Sequence, residues 1–107
     1  MILAIIQMKV LSEKRMELTQ TIASLSDYIR KEEGCQRCYF CQSIGDEDQF
    51  FLIERWDNEK NLMNHLKSDH FRVLRGAMGL LKEPYEGTFH IAFQPQGVEE
   101  AETNKVG

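Results

Sequence analysis

The second half of the chain contains Trp56, His65 and His70, whose side chains can accept protons or donate hydrogen bonds. The imidazole of a histidine titrates near neutral pH, so His65 or His70 could accept a proton from a substrate. The indole N–H of Trp56 could donate a hydrogen bond to a developing anion. These residue types could serve a site of acid–base chemistry.

Each of these side chains also has a structural interpretation. Trp56 could be a core anchor between a strand and a helix, which is the commoner role of a large aromatic side chain. His65 could cap a break between two helices. His70 falls in the first turn of its helix, where the dipole disfavours imidazolium, so a neutral or surface histidine is expected. Glu54 shares a strand face with Trp56 and is expected to pair with an arginine or lysine from elsewhere in the dimer rather than to act in catalysis.

Cys35, Cys38 and Cys41 have a spacing that suggests a metal site. On a regular strand, however, Cys35 and Cys41 share one face and Cys38 points to the other. Six residues of strand also span about 20 Å, so the thiols cannot converge. His90 has no second ligand placed with it by spacing, and no metal site is predicted. The cysteines are expected to pack as small hydrophobic side chains.

The composition excludes several classes of partner. The 107 residues carry a net charge of −4 with acidic and basic residues interleaved, so no basic stripe is available for nucleic acid. No apolar run approaches the ~18 residues that span a membrane. The N-terminal apolar run lacks the charged start and cleavage site of a signal peptide, so a cytoplasmic protein is expected.

Hydrophobic periodicity and turn residues divide the chain into six main elements. The predicted elements are a strand over 2–10, a helix over 12–33, strands over 36–44 and 49–56, consecutive helical pieces over 58–66 and 69–82, and a strand over 85–93. Ser12, Asp57 and Ser68 are the expected N-caps, and Gly34 is expected just after the first helix. The order β-α-β-β-α-β predicts an α+β, ferredoxin-like fold with an antiparallel sheet and helices on one face.

The other face of this sheet also carries apolar side chains, which predicts that a second copy of the chain covers it. The predicted domain therefore covers residues 1–94 and forms homodimers. Residues 95–107 lack aromatic side chains and periodicity, so they are expected to be a flexible tail or an arm that contacts the partner.

Three stretches resemble one known family. They are Glu33-Gly34-Cys35, Phe51-Leu52-Ile53-Glu54-Arg55-Trp56 and His65-Leu66-Lys67-Ser68-Asp69-His70-Phe71. Within this element order they resemble the antibiotic biosynthesis monooxygenase domain of the dimeric α+β barrel superfamily. The resemblance covers about residues 1–94.

The resemblance implies a homodimer with a pocket in each subunit between sheet and helices. It implies a cofactor-independent monooxygenase that uses molecular oxygen on a small quinol or other enolisable aromatic compound. The catalytic candidates are then His65 and His70. The candidate pocket residues are Trp56, Phe71, Met78 and Phe40.

A haem-degrading branch of the same superfamily fits less well. Arg75 stands where that branch has an axial histidine, and His65 stands where it has a haem-ruffling tryptophan.

Two other functions remain open on the same pocket. One is a small-molecule isomerase, which for a phosphorylated substrate would need Arg37, Arg55 or Arg72. The other is a non-catalytic binding or regulatory dimer.

Overall fold

The computed structural model describes residues 1–93 of the chain. Four strands form one antiparallel sheet in the order β2-β3-β1-β4. They are β1 (Ile2–Lys9), β2 (Cys35–Gln42), β3 (Gln49–Trp56) and β4 (Glu86–Ile91). The helices are α1 (Arg15–Ile29), α2 (Glu59–Leu66) and α3 (Asp69–Ala77). The expected ferredoxin-like α+β fold is confirmed within residues 1–93. The predicted tail over 95–107 lies outside the described residues.

The helices cover one face of the sheet, and the core lies between the two layers. β3 alternates as predicted: Phe50, Leu52, Glu54 and Trp56 are all buried on the helix side. Because directly paired residues point to the same side, the cross-strand register assigns the facing residues of the other strands. The helix side of the sheet therefore includes Ala4 and Ile6 of β1, as well as Phe89 of β4.

The opposite side of the sheet, called the open face below, has no helix packed on it within residues 1–93. Its members follow from the register, and they alternate with the helix-side residues along each strand. They are Leu3, Ile5, Gln7, Lys9, Arg37, Tyr39, Cys41, Gln49, Phe51, Ile53, Arg55, Glu86, Thr88 and His90. This face mixes apolar and charged side chains, with Arg37 directly opposite Arg55.

The first helix is shorter than its hydrophobic pattern predicts. A single 3-10 turn over Ser12–Lys14 precedes α1, and Ser12 donates to Asp48 (2.8 Å) instead of capping the helix. After Ile29 the chain tightens into three-residue turns, in which Glu32 N–H donates to the Ile29 carbonyl. The helical segment thus starts at Ser12 as predicted, although as a 3-10 turn, whereas α1 ends at Ile29, four residues before the predicted end. Because α1 ends at Ile29, Glu32 lies outside the helix and on the side of α2.

Gly34 lies in the connection to β2 rather than directly after α1. Its φ of +85° is a left-handed conformation that favours glycine, and a Cβ there would overlap Asp57 and Asn61. The Gly34 carbonyl accepts from the Asp57 N–H at 2.9 Å. This close approach fixes the α1–β2 connection against the start of α2.

The second helical region is interrupted at Ser68, the position that the sequence predicts. Ser68 caps α3 by accepting from the Phe71 N–H at 3.2 Å, which confirms that prediction. The cap of α2 is Asn58 rather than Asp57, because the Asn58 side chain accepts from the Asn61 N–H at 2.9 Å. α3 ends at Ala77, and a 3-10 turn over Met78–Leu80 completes the region.

A bulge in β2 corrects the predicted arrangement of the cysteines. The register shifts between Cys35 and Arg37, so Cys35 pairs with Trp56 and Cys38 pairs with Glu54. Cys35 and Cys38 therefore share the helix side, whereas Cys41 is on the open face. The prediction that Cys35 shares a face with Cys41 was wrong, because the extra residue reverses the alternation.

Within residues 1–93, no helix combines the length and the apolar character that crossing a bilayer would require.

Candidate active site

The centre of the site is Glu54, a carboxylate inside the core. Glu54 is 2% exposed and is flanked across the sheet by Ala4 and Cys38. A buried carboxylate is costly unless other groups compensate it. The indole N–H of Trp56 donates to Glu54 Oε1 at 3.1 Å. Trp56, two residues further along β3, is thus a hydrogen-bond donor as well as a core anchor.

The second group at Glu54 is His65, from the last turn of α2. Its side chain is fully buried and lies between two carboxylates. Nδ1 is 2.6 Å from Glu32 Oε2, and Nε2 is 3.2 Å from Glu54 Oε1. The contact with Glu32 is a well-formed hydrogen bond, whereas Nε2 meets Glu54 at ion-pair distance without ideal hydrogen-bond geometry. His65 therefore connects Glu54 with the end of the α1–β2 connection.

Two aromatic rings fix the plane of the His65 imidazole. Trp56 stacks on it with ring centroids 4.6 Å apart and an interplanar angle of 28°. Phe71 of α3 meets it edge-on, at 5.4 Å and 74°. Because the ring is held by these two aromatic neighbours, its two nitrogens keep their separate partners.

The surroundings of His65 favour its charged form. Burial by itself lowers the pKa of His65, but the carboxylates of Glu54 and then Glu32 outweigh that effect. The net result raises the pKa above the ordinary value of 6.5. A histidine held in this way exchanges protons at pH values at which most enzymes work.

Glu54 also forms part of the wall of a cavity of about 180 Å³, called the inner cavity below. Its other walls are apolar except for one tyrosine: Ala4, Ile6, Leu66, Phe71, Tyr85, Gly87 and Phe89. Tyr85 and Phe89 are 41% and 56% exposed, so they form the outer side, toward solvent. Glu54 Oε2 has no hydrogen-bond partner among the described residues. The cavity therefore combines apolar walls with a single carboxylate.

A second, shallower cavity lies on the other side of His65 and is called the surface cleft below. It is lined by Glu32, Glu33, Asn61, Asn64 and His65. The side chain of Glu32 is 16% exposed, so this carboxylate reaches from the buried imidazole to the protein surface.

His70, the other histidine candidate, lies on the outer side of this cluster. Its Nδ1 is 3.6 Å from Glu32 Oε1, and its ring stacks on Tyr28 at 5.0 Å. Its side chain is 39% exposed and does not line the inner cavity. His70 therefore contacts the cluster through Glu32 only.

The structure brings together some of the predicted site residues. Trp56, His65 and Phe71 form one cluster. Phe40 lies elsewhere, stacked on Phe50 at 5.3 Å beside a different groove near Met16. Met78 packs against the hydrophobic core at the end of α3 and does not line the inner cavity.

Two carboxylates of the cluster were missed from the sequence. Glu54 was expected to pair with an arginine or lysine, but the described partners are Trp56 and His65. The available signal was its position on a strand face whose other members are Phe50, Leu52 and Trp56. No pattern pointed to Glu32, because its position depends on where α1 ends.

The two buried thiols beside the cluster are not activated. Burial, followed by the charge of Glu54, raises the pKa of Cys35 to about 11 and that of Cys38 to about 12. Both therefore remain neutral thiols near neutral pH. Among residues 1–93, no three His, Cys, Asp or Glu side chains are grouped as metal ligands.

Comparisons with known proteins agree with this fold. The chain is 33% identical over 64 residues to the Bacillus subtilis (strain 168) protein named "Putative monooxygenase YcnE", across 60% of this chain and 67% of that protein. It superimposes with a TM-score of 0.82 and 26% identity on a conserved protein from Methanosarcina mazei Go1, covering 86% of this chain and 92% of that one.

A third relative is the "Putative antibiotic biosynthesis monooxygenase from Nitrosomonas europaea". Its TM-score is also 0.82, at 21% identity, covering 88% of this chain and all of that one. At this identity the similarity supports the fold alone. The family model described as antibiotic biosynthesis monooxygenase matches residues 1–77, which include Glu32, Glu54, Trp56 and His65. The chain belongs to the antibiotic biosynthesis monooxygenase family.

Proposed function

We propose that this protein is a cofactor-independent monooxygenase that acts on a small quinol or other enolisable aromatic compound. The observation that carries the proposal is Glu54: a buried carboxylate with an unpartnered oxygen, in the wall of an otherwise largely apolar cavity. Family membership supports monooxygenase chemistry. The substrate class rests on the chemistry of the site.

The inner cavity suits an uncharged ring. None of its described lining residues is a lysine or arginine, so a phosphorylated substrate would lack a cationic partner there. Its volume of about 180 Å³ compares with the roughly 150 Å³ of an engineered apolar cavity that binds benzene. Phe71 and Phe89 supply aromatic walls. These features favour a compact, one-ring phenol or quinol.

The first step is deprotonation. Glu54 Oε2 takes the proton of a substrate hydroxyl, and the resulting anion is electron-rich enough to reduce oxygen. General-base catalysis of this type accelerates a reaction by about 10²–10⁴-fold. His65 and Trp56 engage Glu54 Oε1, so Oε2 is the oxygen left for the substrate.

The following steps need no reductant besides the substrate. The anion gives one electron to O2, and the resulting radical and superoxide combine at a ring carbon. The peroxide takes up a proton, its O–O bond breaks, and water leaves with the hydrogen of that carbon. One oxygen atom stays on the ring and the other becomes water. A quinol is thereby converted to a hydroxyquinone and supplies all four electrons.

We also propose a homodimer in which the open faces of two subunits pack together. The apolar side chains on that face, including Leu3, Ile5 and Ile53, have no covering helix within the described residues. Burial of such a face is the usual driving force for subunit pairing. The inner cavity lies on the helix side, so each subunit would keep its own site.

Oxygen uptake with a panel of one-ring quinols and phenols tests the proposed function. Wild-type protein is compared with Glu54→Gln, which keeps the shape of the side chain but cannot act as a carboxylate base. Glu33→Gln, an exposed change in the surface cleft, is the control. We expect uptake above the spontaneous rate for wild type and control, and its loss in Glu54→Gln. Absence of uptake with every compound would refute the proposal.

The same assay distinguishes the proposed monooxygenase from the isomerase alternative. Proton abstraction by Glu54 would also serve an isomerase acting on a small carbonyl compound. Such a reaction would proceed at the same rate without oxygen, whereas the monooxygenase reaction stops under nitrogen.

A further inference from the structure

We propose that Glu54, His65 and Glu32 form a proton relay that joins the inner cavity to solvent at the surface cleft. The inference rests on the proposed function, because it assigns the fate of the proton that Glu54 removes. Glu32 does not line the inner cavity and would act only through His65.

The inner half of the relay runs from Glu54 to His65. Nε2 of the imidazole is 3.2 Å from Glu54 Oε1, within reach of a proton transfer. Nε2 has no hydrogen-bond partner among the described residues, so in the neutral ring, with its proton on Nδ1, this nitrogen is available to accept. The proton that arrives on Glu54 Oε2 from a substrate can pass to the ring once the protonated carboxyl group rotates and presents that oxygen to Nε2.

The outer half runs from His65 to Glu32. Nδ1 lies 2.6 Å from Glu32 Oε2, which is short for a nitrogen–oxygen hydrogen bond and typical of a charged pair. When Nε2 gains a proton, the ring can release the Nδ1 proton to Glu32. Glu32 lines the surface cleft and is partly exposed, so its carboxylate exchanges protons with water.

The fixed ring suits a proton that leaves and later returns. Trp56 stacks on one face of the imidazole and Phe71 meets its edge, so the ring is not free to rotate between transfers. After an outward transfer, the neutral ring carries its proton on Nε2. An inward transfer returns the ring to the form that carries its proton on Nδ1. The proposed reaction needs this sequence, since a proton leaves in the first step and one is taken up by the peroxide.

The groups that face the relay come from four elements. They are Cys35 and Cys38 of β2, Glu54 of β3, His65 of α2 and His70 of α3, together with Glu32 before β2. Both thiols are neutral near neutral pH, so the relay's charges are those of the two carboxylates and the histidines. His70 lies outside Glu32, with its Nδ1 3.6 Å from Glu32 Oε1.

Substitution of Glu32 tests the relay. Glu32→Gln keeps an oxygen that accepts from His65 Nδ1, so the hydrogen bond survives while proton uptake is lost. We expect kcat to fall about tenfold or more with KM unchanged. Glu33→Gln, in the same cleft but without a contact to His65, should match wild type. In Glu32→Ala, added formate should restore the rate, because it can occupy the vacated carboxylate position.

A second readout does not depend on turnover. The chain has three histidines, so the ring N–H signals of His65 can be separated in NMR spectra from those of His70 and His90. We expect exchange of the His65 ring proton with water to slow at least about tenfold in Glu32→Gln, by the loss of its proton acceptor.

The two readouts distinguish the two proposals. If wild type oxidises quinols but Glu32→Gln equals wild type in kcat and in ring-proton exchange, the relay is refuted and the proposed function stands. If no quinol is oxidised but exchange at His65 slows in Glu32→Gln, the relay stands and the proposed function fails. Unchanged exchange in a variant that folds like wild type refutes the relay in either case.

Discussion

Glu54 Oε1 lies 3.2 Å from His65 Nε2 inside the hydrophobic core, with the indole N–H of Trp56 donating to the same oxygen. This arrangement engages one carboxylate oxygen and leaves Oε2 without a partner in the described residues. A protein gains little stability from burying a carboxylate in this way. In the proposed function, the arrangement gives the inner cavity a base that is connected to a second ionisable group.

Trp56→Phe should lower the free energy of unfolding because Glu54 loses a hydrogen bond, and not only because the side chain becomes smaller. Phenylalanine keeps an aromatic ring against His65 but removes the donor to Glu54 Oε1. Leaving a buried acceptor underpaired costs about 1–3 kcal/mol. Urea unfolding followed by circular dichroism measures the loss. The double variant Trp56→Phe/Glu54→Gln should be less destabilised than the sum of the two single changes, and simple additivity would contradict this explanation.

The raised pKa of His65 predicts how stability changes with pH. The protonated ring contributes fully below the ordinary value of 6.5, and this contribution is lost as pH rises through the higher folded-state pKa. The unfolding free energy should therefore contain a component that decreases above about pH 6.5. In Glu32→Gln the decrease should be smaller and should end at lower pH, because the folded-state pKa of His65 falls when one of the two stabilising carboxylates is gone. An identical pH profile for Glu32→Gln and wild type would contradict the assignment.

Activity should change in the opposite direction over the same pH range. A ring that is already protonated at Nε2 cannot accept a proton from Glu54. The kcat for quinol oxidation should therefore rise as pH increases through the folded-state pKa of His65, while stability falls. A kcat that declines over this range, measured with spontaneous oxidation subtracted at each pH, would argue against His65 as the proton acceptor.

Gly34 and Gly76 should respond oppositely to alanine. At Gly34, alanine would adopt an unfavourable positive φ and overlap Asp57 and Asn61, so we expect a loss of about 1–2 kcal/mol or more. At Gly76, in α3, an added Cβ meets nothing within 4 Å, so alanine should stabilise by about 0.5–1 kcal/mol. Thermal and urea unfolding of both variants measures this difference. A neutral Gly34→Ala would show that the α1–β2 connection does not depend on the close approach.

The proposed homodimer depends on the open face. Ile53→Asp places a charge at the centre of that face, opposite Ile5 and Tyr39. We expect it to convert a dimer to a monomer in size-exclusion chromatography with light scattering. Val73→Asp, on the exposed side of α3, is the matched control and should remain dimeric. A wild-type monomer at micromolar concentration would contradict the proposed assembly.

Most of the fold could be predicted from the sequence because its signals are local. The alternation of β3 and the Ser68 cap follow from the chemistry of neighbouring residues, and both are confirmed. The end of α1 was mispredicted because the tight turns after Ile29 depend on contacts of Gly34 with residues more than twenty positions away. The bulge in β2 was missed for a related reason, since cross-strand register is a tertiary property.

The site was predicted only in part. Trp56 and His65 are of conspicuous types in a short stretch, so residue chemistry was enough to select them. Glu54 was considered, but its partners come from α2 and its own strand rather than from a distant cation. Glu32 meets His65 across 33 positions, and no spacing rule connects them. The pairs that matter most for proton transfer are therefore the ones that only the folded chain brings together.

Quinol oxidation under isotopically labelled O2 tests the central claim most directly. The rate of product formation and the label per product molecule are measured by mass spectrometry for wild type and Glu54→Gln. We predict one labelled oxygen atom per product molecule from wild type, and a rate at least about 100-fold lower for Glu54→Gln. Unlabelled product, or equal rates for the two proteins, would contradict the assignment of Glu54 as the base of a monooxygenase.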